Sequence, residues 1–346
     1  MIFFESDYSQ GAHPKVMEAL ERTNLEHADG YALDPHCEHA AQLVRDLIGA
    51  PDAAVHMMIG GTNCNVTTIA ATLKPYQSVI SARSGHIYKH ETGSVEATGH
   101  RVTTVPGIDG KITPEMIDAA FDEYEDEHTL VPAMVYISEP TESGTLYKKA
   151  ELEAISAKCR ERGLVFYIDG ARLGSALTCD ECDFTIKDIA PLCDAFYIGG
   201  TKNGALMGEA LVILNPEIND HFRWYIKQKG GMLAKGRLIG VQFEALLDDG
   251  ENSLYFKIAR ETNQKAKRLR EGLKALGVSF FGTSCTNQIF PYLPVEAAKK
   301  LHEDFMFLDW APAKDGIIPV RFVCGWGTTD EEVDALLEAV KKALGK

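Results

Sequence analysis

Apolar positions along the chain recur with two alternating periods. Segments with a helical repeat, at residues 14–27, 36–48 and 150–162, are interleaved with short apolar runs at 54–59, 133–138, 164–168 and 195–198. Strands alternating with helices of this length form βαβ units, so the pattern predicts a largely parallel sheet faced by helices. Helix boundaries are readable in places. Thr113 followed by Pro114 opens a helix with a cap and a proline in the first turn, and Thr329 with Glu332 forms a capping box before the last helix. That last helix places Val333, Leu336, Leu337, Val340 and Leu344 on one face, as docking onto a core requires.

From about residue 250 the texture changes. A long, basic, amphipathic helix over 251–276 leads into strand-like runs at 278–281, 288–293, 307–308 and 317–323, with a helix between them. The expected organisation is an α/β chain with a large, mostly parallel-sheet domain over 1–249, N-terminal segment included. A smaller α+β domain covers 250–346. Composition agrees with this and narrows it. The 346 residues are 45% apolar and 25% charged, ordinary globular values. The net charge of −15 repels phosphodiester backbones and anionic lipids, and the densest basic cluster, Lys265-Ala266-Lys267-Arg268, is no patch large enough to offset that. Nucleic-acid and membrane partners are therefore not expected. The start, Met1-Ile2-Phe3-Phe4-Glu5, lacks the basic region of a signal peptide, and the eight scattered cysteines fit reduced cytoplasmic thiols.

Candidate chemistry lies where three predicted strands end, which is where open α/β sheets place ligands. The run Val55–Ile59 is followed by Gly60-Gly61-Thr62-Asn63, two glycines and a polar helix start. Such a turn offers free backbone N–H groups to a phosphate, or it is merely a tight connection. The run Leu164–Ile168 delivers Asp169-Gly170-Ala171-Arg172. This carboxylate can pair with a protonated heterocycle nitrogen, cap a helix, or pair with Arg172. The run Ala195–Ile198 ends in Gly199-Gly200-Thr201-Lys202, and a desolvated lysine amine there can form an imine with an aldehyde; an ordinary surface lysine is the alternative. Phosphate cradle, strand-end Asp and strand-end Lys, in that chain order, are what pyridoxal 5′-phosphate requires.

With these residues in view, the chain resembles the threonine aldolases, fold type I enzymes dependent on pyridoxal phosphate, over nearly its full length. The matching stretches are Glu5-Ser6-Asp7, Gly30-Tyr31-Ala32-Leu33-Asp34-Pro35, Gly61-Thr62-Asn63 with Asn65, and Gly85-His86-Ile87-Tyr88. They continue with Asp169-Gly170-Ala171-Arg172-Leu173, Thr201-Lys202 and Val320-Arg321-Phe322-Val323. The resemblance implies that Lys202 holds the cofactor, Asp169 keeps its ring nitrogen protonated, and Gly61, Thr62 and Asn63 meet its phosphate. It implies that His86 stacks on the ring and is a candidate base. Ser6, Arg172 and Arg321 would grip the substrate α-carboxylate, with Arg172 also near the ring's phenolic oxygen. Gly230-Gly231-Met232, Lys235 and Arg237 would help complete a neighbouring subunit's site, making the protein a dimer or tetramer.

Two positions depart from the family pattern. Glu142, in Glu139-Pro140-Thr141-Glu142-Ser143, stands where a histidine commonly handles the substrate hydroxyl, and Lys202 follows Thr201 in place of Ser. A buried Glu142 with a raised pKa can still accept a hydroxyl proton. The implied reaction is cleavage of L-threonine, L-allo-threonine or a related β-hydroxy-α-amino acid to glycine and an aldehyde. A β-eliminating lyase or aminotransferase is the alternative within the fold, and a non-catalytic α/β binding protein the alternative outside it. Two other pairs suggest metals or redox chemistry, His86 with His90 and Cys179 with Cys182, but neither shows a third ligand or a second pair. His36 with His39, at a helix start, reads as structural or as a substrate gate. No metal site is expected.

Overall fold

The computed structural model describes residues 1–346. Its thirteen strands are β1 (Ile2–Phe3), β2 (Ala54–Met58), β3 (Gln77–Ala82), β4 (Arg101–Val105), β5 (Val131–Ser138), β6 (Val165–Asp169), β7 (Ala195–Gly199), β8 (Glu209–Ile213), β9 (Gln288–Ile289), β10 (Tyr292–Pro294), β11 (Phe305–Met306), β12 (Leu308–Asp309) and β13 (Ile317–Val323). The main sheet runs β2-β8-β7-β6-β5-β3-β4. Strands β7, β6, β5, β3 and β4 are parallel, while β8 is antiparallel to both of its neighbours. One consequence decides where the site lies. The ends of β2, β5, β6 and β7 and the start of β8 share one edge, with Met58 and Gly199 both opposite Glu209 and Ser138 opposite Asp169.

The sheet is buried on both faces, and the period of two in its strands assigns each residue to a side. Val135, Ile137, Phe166, Ile168, Phe196 and Ile198 enter the larger core, with the helices Pro35–Ile48 and Arg237–Leu247. Met134, Tyr136, Tyr167 and Tyr197 enter the core of the opposite face, under the helix Gly61–Thr72. Asp169 has the parity of Tyr167 and so emerges on that second face. Two glycines let the strand ends close up beside it. A Cβ on Gly170 would lie 1.8 Å from the Tyr197 carbonyl oxygen, and one on Gly199 would lie 2.3 Å from that of Ala171.

A second core forms around β9, β10, β12 and β13 with the last helix, Asp330–Ala343. The helix Leu254–Ala275 joins the two: Tyr255, Phe256 and Ile258 belong to the main core, and Ala266, Leu269 and Leu273 to the second. The N-terminal residues lie with the C-terminal region. β1 pairs with β11, and Phe4 is buried in the second core against Phe322.

Differences from the expected elements have local causes. The first helix stops at Thr23 and not near 27, because Arg237 donates to the carbonyls of Thr23 (2.9 Å) and Asn24 (3.0 Å) and so satisfies that end. The run 278–281 forms only an isolated bridge from Phe280 to Pro291, and Pro291 also splits 288–293 into β9 and β10. Proline lacks the N–H that a continuous ladder needs. The run 307–308 falls between β11 and β12, at Phe307 and the start of β12. No helix is long and apolar enough to cross a membrane.

Candidate active site

A cavity of about 580 Å³ opens at the shared strand edge, where Gly60, Gly61, Thr62, His86, Glu142, Asp169, Arg172, Lys202 and Arg321 all reach its wall. Of the residues singled out from sequence, Ser6 and Asn63 are not in it. The Ser6 hydroxyl pairs with that of Ser9 (2.8 Å) in an adjoining groove. The Asn63 amide donates to the Lys229 carbonyl (3.3 Å), away from the cavity. What Asn63 can offer a phosphate is backbone. The first bond of its helix runs from Cys64 N–H to the Gly60 carbonyl, so the N–H groups of Gly61, Thr62 and Asn63 remain free as helix-terminal donors. A Cβ on Gly60 would meet nothing within 4 Å, which leaves room in front of that helix end.

Asp169 neither caps a helix with its side chain nor pairs with Arg172. Its carboxylate accepts hydrogen bonds from Tyr136 (2.6 Å), Tyr197 (2.5 Å), Asn65 (3.1 Å) and the Ala171 N–H (3.0 Å). Burial alone would raise its pKa, but the nearby His86 charge and these donors hold it below the usual carboxylate value. Hydrogen bonds to a charged group contribute about 1.5–3 kcal/mol each. Several together offset a burial penalty of several kcal/mol for one ion, so Asp169 stays anionic. It faces the cavity with no Lys or Arg within ion-pair distance.

Behind Asp169 runs a buried polar relay that sequence reasoning did not find. Tyr167 donates to Asn65 (2.9 Å), and the Asn65 amide donates to both Asp169 and Glu91 (2.7 Å). Glu91 holds His86 Nδ1 at 2.8 Å and accepts from Ser94. This contact orients the imidazole and leaves Nε2 as its free nitrogen. Burial alone would lower the His86 pKa; Glu91 and Asp169 raise it above the ordinary value.

Lys202 has no carboxylate within 4 Å, and its Nζ lies 6.0 Å from the Tyr8 ring centre. Burial, then the Arg172 charge, lowers its pKa, which favours the neutral nucleophilic amine. The backbone before it is fixed by Thr201, whose N–H donates to the Gly208 carbonyl and whose hydroxyl accepts the Gly208 N–H (3.0 Å). Glu209, also missed, sits beside this turn and accepts the Gly200 N–H at 2.7 Å. Burial pushes its pKa up to about 7.

The two arginines differ. Arg172 is gripped by Asp7 through Nε (2.6 Å) and a terminal nitrogen (3.0 Å), and Asp7 also accepts from Asn287 (2.9 Å). Arg321 has no carboxylate partner at all. It donates to the Glu5 carbonyl (3.1 Å), lies 5.4 Å from the Trp310 ring centre, and keeps a buried Nε without an acceptor. A buried guanidinium with an orphan donor on a cavity wall fits an anion.

Glu142 Oε1 accepts from the His86 N–H (2.9 Å) and the Ser138 hydroxyl (2.6 Å), while Oε2 has no protein partner. Its pKa is raised, chiefly by burial. Elsewhere, Lys235 is exposed and Arg237 binds the end of the first helix, so the 230–237 segment lies outside this chain's own cavity. His36 pairs with Glu26 and Glu244, and His39 with Glu244; no group of three or more His, Cys, Asp or Glu is arranged to hold a metal.

The residues present fit pyridoxal phosphate: free helix N–H groups for a phosphate, an anionic carboxylate for a ring N–H⁺, and a desolvated lysine for the aldehyde. Sheet order and site together define a pyridoxal-phosphate-dependent enzyme of fold type I, a lyase. The chain belongs to the beta-eliminating lyase family, whose model matches residues 4–295, and groups there with the threonine aldolases. It is 30% identical to a low-specificity L-threonine aldolase of a Pseudomonas species, over 99% of this chain and 97% of that one. The solved structure of Leishmania major threonine aldolase superposes with a TM-score of 0.97 at 43% identity, covering 99% of both chains. Aspartate aminotransferase of Thermus thermophilus, at 18% identity and a TM-score of 0.74 over 99% of this chain and 91% of that one, shares the fold.

Proposed function

We propose that the protein cleaves L-threonine and L-allo-threonine, or a closely related β-hydroxy-α-amino acid, to glycine and an aldehyde. The observation that carries this is one cavity wall presenting Lys202, the unpartnered Arg321 and the open Oε2 of Glu142. Amine, α-carboxylate and β-hydroxyl of the substrate each meet a complementary group. Bound at Lys202 and Asp169, pyridoxal phosphate supplies a sink for the electron pair released when the Cα–Cβ bond breaks.

Arg321 binds the α-carboxylate, with Arg172 beside it in the orientation set by Asp7. Fixing that carboxylate fixes which bond at Cα is aligned for cleavage. Glu142 then takes the hydroxyl proton on Oε2, its other oxygen being held by Ser138 and the His86 N–H. His86 is the weaker candidate for this step, because Glu91 and Asp169 favour its protonated form. The aldehyde leaves, and reprotonation at Cα gives glycine. The test is a panel of the four threonine stereoisomers, with glycine quantified by amino-acid analysis. Both L forms should be cleaved and both D forms left intact; cleavage confined to D forms contradicts the proposal.

Two variants follow. Glu142→Gln keeps a carbonyl oxygen for Ser138 and the His86 N–H but cannot take a proton, and should lower kcat by about a hundredfold. The sign of the pH effect is fixed by the raised pKa. Glu142 must be ionised to act, so activity should fall as pH drops through a value above the ordinary carboxylate range, and that limb should vanish in Glu142→Gln. A pH profile of kcat/KM reads both. Arg321→Ala should raise KM for the amino acid by about ten- to a hundredfold, the worth of one charge-assisted pair, with cofactor absorbance unchanged.

We infer also that the protein is a cytoplasmic homodimer or homotetramer. The 230–237 segment is seated on the 30–34 loop through the Tyr31 N–H to Ala234 carbonyl bond (3.2 Å) and lies outside this chain's own cavity, and in the proposed oligomer it meets a second copy's site. All eight cysteines are free thiols, as a reducing compartment maintains.

A further inference from the structure

The Cys179-x-x-Cys182 pair is separated by the fold. The Cys182 thiol turns away to the Phe184 carbonyl (3.2 Å), and burial pushes its pKa up to about 11. The neighbour of Cys179 is Cys285, far along the chain. The Cys179 thiol donates to the Cys285 carbonyl at 3.3 Å, and the Cys285 thiol faces the Gly144 carbonyl at 3.9 Å. Both line a groove of about 360 Å³ that also carries Arg260, Lys267 and Arg270 with Asp180, Glu181 and Glu271, and the otherwise buried Cys179 is reached through it. Arg270 donates to the Thr286 carbonyl (2.9 Å) and has no carboxylate within ion-pair distance, which leaves an unpaired cation next to the thiols. The neighbouring Cys285 side chain and the Arg270 charge lower the Cys179 pKa against burial, while the same contact raises that of Cys285, so Cys179 is the thiol that ionises first. Low-pKa, accessible thiols beside a cation and a second cysteine are the ones that oxidise.

We propose that Cys179 and Cys285 are an oxidisable dithiol that closes a reversible disulfide between the main sheet domain and the C-terminal one, with a hydroperoxide as oxidant. The Cys179 thiolate attacks the outer peroxide oxygen; the O–O bond breaks and the departing oxygen takes a proton. The Cys285 thiol then attacks the sulfenic sulfur as its proton passes to the departing oxygen; the S–O bond breaks, the S–S bond forms, and water leaves. Two thiols lose two electrons and the peroxide gains them. The link would act on the substrate site through a short chain of residues. Cys285 is two residues from Asn287, whose amide holds Asp7, which in turn holds Arg172. Gln288 follows on the cavity wall.

The test treats the cofactor-loaded enzyme with one equivalent of hydrogen peroxide, then counts free thiols and maps peptides by mass spectrometry. Expected are the loss of two thiols, a Cys179–Cys285 cross-linked peptide pair, and full reversal by dithiothreitol. Cys182→Ser should behave as the parent does. Cys179→Ser should give no cross-link, and Cys285→Ser should leave a sulfenic acid at Cys179 that dimedone traps. In the cross-linked protein, KM for L-threonine should rise about fivefold or more and return on reduction. That arm rests on the aldolase reading, whereas the mass measurement does not. A Cys179–Cys182 cross-link, or eight thiols still titratable after peroxide, would overturn the dithiol. An unchanged KM in fully cross-linked enzyme that cleaves threonine would overturn its link to the site.

Discussion

Lys202→Ala is expected to leave a folded protein that binds pyridoxal phosphate without a covalent link and cleaves its substrate at least about a thousandfold more slowly, the scale of losing a covalent nucleophile. The side chain has no ion pair to lose. Its removal therefore leaves no buried carboxylate stripped of a partner, and the melting temperature should move little. Two readouts separate the roles. The visible band near that of a lysine-linked cofactor should be replaced by that of free aldehyde, and borohydride should fix the cofactor to the parent protein but not to the variant. Retention of a borohydride-stable link in Lys202→Ala would place the anchoring amine elsewhere.

Asp169→Asn should cost on the order of a hundredfold or more in kcat, the range seen when a preorganised charge is removed from a reacting centre. The amide is nearly isosteric and can still accept from Tyr136 and Tyr197. What it loses is the negative charge that Tyr136, Tyr197, Asn65 and the Ala171 N–H are arranged to sustain. A neutral partner no longer keeps a ring nitrogen protonated, so the electron sink weakens while cofactor binding persists at higher concentration. Measuring kcat at saturating pyridoxal phosphate isolates the effect. An undiminished kcat under those conditions would mean that the ring nitrogen does not depend on Asp169.

Both of these residues are legible in the sequence because each ends an apolar strand, and strand ends on one edge of a parallel sheet converge. The alternation Phe166-Tyr167-Ile168-Asp169 carried further information than its polarity. Tyr167 shares its parity with Asp169, and Tyr136 and Tyr197 fall on the same face, so the phenol donors were encoded in a period of two. Asp7 and Glu91 were not readable in this way. Asp7 meets Arg172 and Asn287 only because β1 docks on the C-terminal core, a pairing across most of the chain that no local pattern announces. Glu91 follows a single turn of helix, His86–Lys89, where no periodicity is long enough to assign a face. Asn63 and Ser6 are marked by a family motif and not by periodicity: the Asn63 side chain turns to the Lys229 carbonyl, leaving its backbone N–H at the helix start, and the Ser6 hydroxyl turns to Ser9.

Glu142 gives the family resemblance its particular content in this chain. Its carboxylate is fixed by the His86 N–H and Ser138 with the second oxygen open, and in the function proposed above it takes the substrate hydroxyl proton that the resemblance would assign to an imidazole. The same cavity could in other hands eliminate at Cβ or transfer an amino group, and the identity of the products separates these outcomes. The most direct measurement supplies L-threonine to the enzyme loaded with pyridoxal phosphate and identifies the products. The account predicts glycine and acetaldehyde in equal amounts; 2-oxobutanoate with ammonium, or consumption of a keto-acid acceptor, would contradict it.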